Sequence, residues 1–211
     1  MQSANGLLDV IVEPRYDTAT ITAPGTLALS YFTVPVGQGL SAFAGAGVAK
    51  SYSDTNMDLA GQLPAGYNFD ILGFRVMPCF WIGGSVGAAQ VTGKIQDANT
   101  WSHGGLFTFT IGSKPFLRVP IDTIPAGMGP AGFGSSFTAE FGGAQSHGVP
   151  SLDNSFKIGR QPLTLSQTQN FNVVLSWPLV VANTTQFAAH QPAAGIPVRV
   201  FMDGFLKRIV Q

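Results

Sequence analysis

Seven residues, Phe171-Asn172-Val173-Val174-Leu175-Ser176-Trp177, constrain the chain more than any other stretch. In an extended backbone Phe171, Val173, Leu175 and Trp177 share one face, and Asn172, Val174 and Ser176 share the other. That is the period of a half-buried β-strand. Wound as a helix, the same four apolar residues scatter around the cylinder and leave no stripe to bury. Pro178 ends the strand, because it has no N–H to give to a ladder.

The same alternation recurs along the chain. Leu8, Val10 and Val12 alternate with Asp9, Ile11 and Glu13, and residues 18–22 form a short β-branched run before Pro24-Gly25. Residues 27–36 read as a strong strand whose end Pro35 confines to an edge or a bulge. Residues 69–77 place Leu72, Phe74 and Val76 on one face and Ile71, Gly73 and Arg75 on the other. Phe107, Phe109 and Ile111 lead through a Gly112-Ser113 turn into residues 116–122, a predicted hairpin. Its Leu117, Val119 and Ile121 are expected to bury with the Phe171 group. Residues 163–165 open the approach to that group. Residues 197–202 alternate again, and Asp203-Gly204 predicts a two-residue hairpin turn returning through residues 205–210. Weaker strands are expected at residues 91–95 and 137–141. Residues 37–50, 51–67 and most of 125–150 read as loops, for which 26 Gly and 14 Pro supply the turns. The expected fold is all-β: a single jelly-roll β-sandwich of about eight to ten antiparallel strands with long Gly/Pro-rich loops. Residues 1–25 form an N-terminal extended arm or first strand, and residues 26–211 the jelly-roll domain, one structural domain in all.

Such a sandwich needs a surface, and this chain has few charges to make one. Charged residues are 10% of the total, against about 25% in ordinary soluble proteins. Low charge near neutrality favours association, so the composition points to life inside an assembly. A formal net charge of +0 and the lack of a basic tail argue against direct, sequence-specific nucleic-acid binding. The first six residues carry neither a basic region nor an apolar core, so no secretory signal is expected there. Cys79 is the one cysteine, which excludes an internal disulfide and fits a reducing compartment of synthesis. The sequon at Asn183 then carries no weight.

No catalytic constellation stands out. Gly37-Gln38-Gly39-Leu40-Ser41-Ala42 has the form of a dinucleotide fingerprint, but Phe43 to Gly47 make a poor helix where the fingerprint needs one. Gly83-Gly84-Ser85-Val86-Gly87 has the form of a nucleophile elbow, yet no helix follows to complete it. His103, His147 and His190 are too widely spaced for a zinc motif. Asp54, Asn56 and Asp58 form an oxygen-rich loop, a weak calcium candidate without the glycine turn or terminal Glu of a calcium loop. Carboxylates paired from distant strands, as in a sandwich glycoside hydrolase, have no telling motif here. Trp81 and Trp101 are open candidates for sugar stacking, whereas Trp177 belongs to the core. No cofactor is expected.

Several segments resemble stretches of jelly-roll capsid proteins of small, tailless icosahedral bacteriophages. They are Asp54-Thr55-Asn56-Met57 with Gly61-Gln62-Leu63-Pro64-Ala65-Gly66-Tyr67-Asn68-Phe69-Asp70-Ile71, then Phe109-Thr110-Ile111-Gly112-Ser113-Lys114-Pro115, then Val198-Arg199-Val200-Phe201-Met202-Asp203-Gly204. The resemblance covers about half the chain and is one of pattern and order. It implies a non-enzymatic virion protein, made in the host cytoplasm, that self-assembles into capsomers of an icosahedral shell. Its partners would be further copies of itself, other virion proteins and, in some such viruses, an internal membrane. Many relatives carry two jelly rolls, whereas the strands here suffice for one. Leu7, Leu8, Ile209 and Val210 are the candidate assembly contacts at the two ends. The alternative is a carbohydrate-binding β-sandwich, a receptor-binding head or lectin, with a sandwich hydrolase third.

Overall fold

The structure is a computed structural model that describes residues 8–21, 26, 28–44, 47–78, 104–124, 133–134, 144–145, 155–177 and 196–209. Its strands, in chain order, are β1 (Leu8–Val12), β2 (Arg15–Ile21), β3 (Ala28–Tyr31), β4 (Tyr67–Pro78), β5 (Leu106–Ile111), β6 (Lys114–Pro120), β7 (Phe133–Gly134), β8 (Ala144–Gln145), β9 (Phe156–Lys157), β10 (Leu163–Ser166), β11 (Phe171–Ser176) and β12 (Ile196–Ile209). Among the described residues the one helical element is a 3-10 turn, Ile121–Thr123. The expected strands at 91–95 and 137–141, the Gly83–Gly87 motif, the three histidines, Cys79, Trp81, Trp101 and Asn183 lie outside the described residues.

Two antiparallel sheets make a β-sandwich. In the first, β12 is flanked by β4 on one side and by both β1 and β2 on the other, while β4 carries β9 and β10 on its far side. β1 and β2 keep one unbroken register along β12, from Leu8 opposite Ile209 to Ile21 opposite Ile196, with Glu13-Pro14 as the only gap. The second sheet has the order β3-β11-β5-β6. Counting β1 with β2 as one row and β9 with β10 as another, the sandwich has eight rows. The outermost rows of the chain pair with each other in the first sheet, the next pair inward (β3 and β11) in the second. The row of β4 pairs with that of β9 and β10 in the first sheet again, and the innermost pair, β5 and β6, lies in the second. The chain is thus a nested ribbon of strand pairs dealt alternately to the two sheets.

The core lies between the sheets. Phe171, Val173, Leu175 and Trp177 are all buried, as are Phe107, Phe109 and Ile121. Across the gap Phe74 of β4 meets Phe107 at 5.1 Å and Phe109 at 4.9 Å between ring centroids, close enough for favourable aromatic contact. Leu117 and Val119 are only partly buried, because β6 is the edge of its sheet. The predicted β5–β6 hairpin is present, with Ile111 opposite Lys114 and Gly112 at φ +59°. β6 ends earlier than predicted, at Pro120, and Ile121 reaches the core from the 3-10 turn instead.

Three expectations are corrected. Asp203-Gly204 is no hairpin turn: residues 196–209 run as one strand. Asp203 pairs with Gly73 and Gly204 with Ile71, which leaves Leu72 as an extra residue, a bulge in β4. The bulge reverses the alternation of β4, so Ile71 faces the core at 0% exposure together with Phe69, Phe74 and Val76. Asp203 is held by a two-pronged bond to the Arg75 guanidinium, at 2.6 and 2.7 Å. At Gly204 a Cβ would run into the Asp70 carbonyl oxygen, so the glycine serves close strand approach. The strand expected at 27–36 stops at Tyr31, because Phe32 turns to φ +66° and gives its N–H to Asp17 instead of a ladder.

Candidate functional site

Among its described residues the segment between β3 and β4 has no strand of its own beyond a Leu59–Gln62 bridge, yet it is closely tied to β2. Tyr16 N donates to Asn56 Oδ1 at 2.9 Å. Asn56 N and Thr55 Oγ1 both donate to Tyr16 O. Residues 55 and 56 therefore occupy the free edge of β2 and close it to further strand pairing. Over the outer side of the sheet, Thr18 Oγ1 donates to Asp54 O, Tyr16 Oη to Tyr52 O, and Arg199 Nη2 to Ser53 O. The Arg199 guanidinium also sits 5.0 Å from the Phe43 ring and 5.4 Å from that of Tyr16, within cation–π range.

Two buried carboxylates hold this segment. Asp54 takes bonds from Ala42 N at 2.7 Å, Ser51 N at 3.0 Å and Ser41 Oγ at 2.9 Å. Burial opposes its charge, but those donors outweigh burial and keep its carboxyl below the ordinary carboxylate range. Asp17, on the inward face of β2, takes Phe32 N at 2.6 Å, Thr18 N at 2.9 Å and Lys50 Nζ at 2.6 Å. Burial pushes the Asp17 carboxyl up, against the pull of Lys50 and the two backbone donors.

At the Glu13-Pro14 gap between β1 and β2 the segment leaves an open cleft of about 380 Å³. Tyr16, Tyr52 and Tyr67, three of the four tyrosines of the chain, line it. So do Glu13, Asp58, Arg15, Arg208 and Asn56. Arg15 is buried, donates through Nη1 to Asn56 O at 3.0 Å, and leaves Nε without an acceptor among the described residues. Arg208 is fixed by hydrogen bonds to Asp9 and Tyr67, which raise its pKa further. Burial raises the Tyr16 phenol, ahead of the opposing charge of Arg199, so that hydroxyl stays a donor. The cleft offers ring faces, fixed donors and carboxylate acceptors, a set suited to binding through stacking and hydrogen bonds.

The structure parts the three residues of the calcium candidate. Asn56 and Asp58 line the cleft, but the Asp54 carboxylate is spent on the hydrogen bonds given above. Among the described residues no cluster of three or more His, Cys, Asp or Glu is placed to hold a metal ion. Residues 37–42 form a bend with Gly37 at φ +82° and Gly39 at φ +64°, and no helix opens there. Of the assembly candidates, Leu8 and Ile209 pair as the last rung between β1 and β12, while Leu7 and Val210 lie outside the described residues. Sequence reasoning missed the tyrosine cleft, whose members stand far apart in the chain. It also missed Asp17, whose signal was legible: an acid on the same strand face as Ala19 and Ile21 requires a buried partner. Compared with family models, curated proteins and solved structures, the chain matches none.

Proposed function

We propose that this chain is a jelly-roll capsid protein of a small, tailless icosahedral bacteriophage, and that it works without catalysis by self-assembling into the virion shell. The observation that carries the reading is the nested order of the eight rows. A jelly roll is a double sheet of eight strands built from Greek keys, and the alternation of successive strand pairs between two sheets supports that reading.

The surface supplies a reason to associate. Leu40, Phe43 and Val48 stand exposed on the segment over β2, Val10 and Val12 on β1, and Phe116 on β6, in a chain with few charges to keep copies apart. In this reading the partners are further copies of the chain in capsomers, other virion proteins and an internal membrane where the virus has one. Sequence-specific nucleic-acid binding and cofactors have no part in it. The protein is made in the host cytoplasm and ends in the virion.

Sedimentation and electron microscopy of the purified full chain test the proposal. Capsomers, or closed shells that grow with concentration, are expected. A monomer or a small fixed oligomer at every concentration overturns it and leaves the carbohydrate-binding sandwich in its place.

A further inference from the structure

We infer that the cleft at the Glu13-Pro14 gap is a binding site for a neutral saccharide. Three features of its lining converge on that class. The first is the aromatic wall of Tyr16, Tyr52 and Tyr67, of which Tyr52 is 66% exposed. A tyrosine ring offers an apolar face to the C–H side of a sugar ring and a hydroxyl at its rim. The second is the supply of fixed hydrogen-bonding groups. Glu13 and Asp58 accept from sugar hydroxyls, and the Arg208 guanidinium, oriented by Asp9 and Tyr67, donates to them.

The third is charge. The charged groups of the lining are already paired: Arg15 Nη1 lies 3.7 Å from Glu13 Oε1, and Arg208 holds Asp9 Oδ2 at 2.8 Å. With both guanidinium groups paired, the cleft has no free cation for a phosphate or carboxylate, no metal-holding cluster of three or more His, Cys, Asp or Glu occurs among the described residues, and a neutral polyhydroxylated ligand is favoured. An extended peptide is disfavoured because residues 55 and 56 already bond the edge of β2 at Tyr16, which closes that route of strand addition. At about 380 Å³ the cleft lies near the lower end of the roughly 300–1,000 Å³ typical of small-molecule sites. It is open to one side, so it suits the end of a glycan more than the middle of a long polymer.

Saccharide binding and self-assembly are separate properties of the chain, and either can fail without the other. The test is saturation-transfer NMR and calorimetric titration of the full-length protein. The probes are glucose, galactose, mannose, N-acetylglucosamine, cellobiose, lactose and chitobiose, with N-acetylneuraminic acid and glucose 6-phosphate as charged counterparts. Saturable binding of at least one neutral sugar at about millimolar concentration is expected. Tyr52→Ala and Asp58→Asn, both at exposed positions, should each weaken it tenfold or more. Ser113→Ala, in the β5–β6 turn of the other sheet, should leave it unchanged. Circular dichroism and thermal melts of the variants separate lost contact from lost fold. The inference is overturned if no neutral sugar binds, if binding ignores both substitutions in folded protein, or if only the charged sugars bind.

Discussion

Asp17 and Lys50 place opposite charges in a setting where neither can reach water: they are 0% and 7% exposed. Removing one partner of such a pair leaves an uncompensated buried charge. Lys50→Met should therefore cost about 3–5 kcal/mol at neutral pH, measured by urea unfolding. Adding Asp17→Asn, which keeps an acceptor for Phe32 N and Thr18 N, should restore part of the loss. The pH dependence has a definite sign. Burial raises the folded pKa of Asp17, so its contribution to stability is present below the unfolded value of about 3.9 and is lost as pH rises through the folded value. The Lys50→Met penalty should shrink on acidification, and a penalty that grows would contradict this assignment. Asp54 behaves in the opposite way. Its folded carboxyl titrates below the unfolded one, so its contribution is present above about pH 3.9 and is lost as pH falls through the folded value. Asp54→Ala should cost about 1–3 kcal/mol, and its stability profile should lack part of the acid limb of the parent.

Among the elements, β4 and β12 decide the shape of the first sheet, and their shared irregularity decides which side chains enter the core. The extra residue Leu72 lets Phe69 and Ile71 point inward on one side of the bulge and Phe74 and Val76 on the other. Gly204→Ala puts a methyl group against the Asp70 carbonyl oxygen, and strand backbones cannot yield as a flexible side chain would. A loss of about 3 kcal/mol or more is expected, read from denaturant midpoints. Gly159→Ala, where nothing lies within 4 Å of the new carbon, should change stability by less than about 0.5 kcal/mol. Equal effects at the two glycines would mean that the close approach at Gly204 carries no weight. The strands at 106–111 and 171–176 were legible in sequence, because one face of each is wholly apolar. The bulge was not, since Asp-Gly has the same local preference for a turn wherever it stands. Its partner Arg75 lies 128 residues away, and only pairing with β4 keeps Asp203-Gly204 within a strand.

At the scale of the molecule, association in the shell reading rests on apolar and neutral surface, as few charges are present to drive it. Salt screens exposed charge pairs, with a screening length of about 3 Å at 1 M, but leaves apolar burial intact. Oligomers of the chain should therefore persist near 1 M salt, as judged by sedimentation, whereas dissociation there would point to charge-driven contacts. Because β1 pairs with β12 from Leu8 opposite Ile209, cutting back the N-terminus should also strip an edge of the first sheet, and cutting back the C-terminus should shorten its inner strand β12, which lies between β1 and β4. Lower thermal stability of the monomer, and not only weaker association, is the expected result of such trimming.

What the sequence determined by itself is the class of structure. A period of two in the apolar residues admits strands and excludes helices, and glycine and proline between the runs admit only turns and loops. It also determined which residues of β5 and β11 are core, because those faces are apolar without exception. The tertiary structure alone decided the order of the rows, the bulge at Leu72 and the cleft. Each of these depends on groups distant in the chain: the row order on strand pairing such as β1 with β12, the bulge on Asp203 and Gly204 against β4, and the cleft on Tyr52 and Tyr67 with Tyr16. No local pattern encodes such meetings, since they arise only when loop-spanning strands pair and bring their side chains to one place.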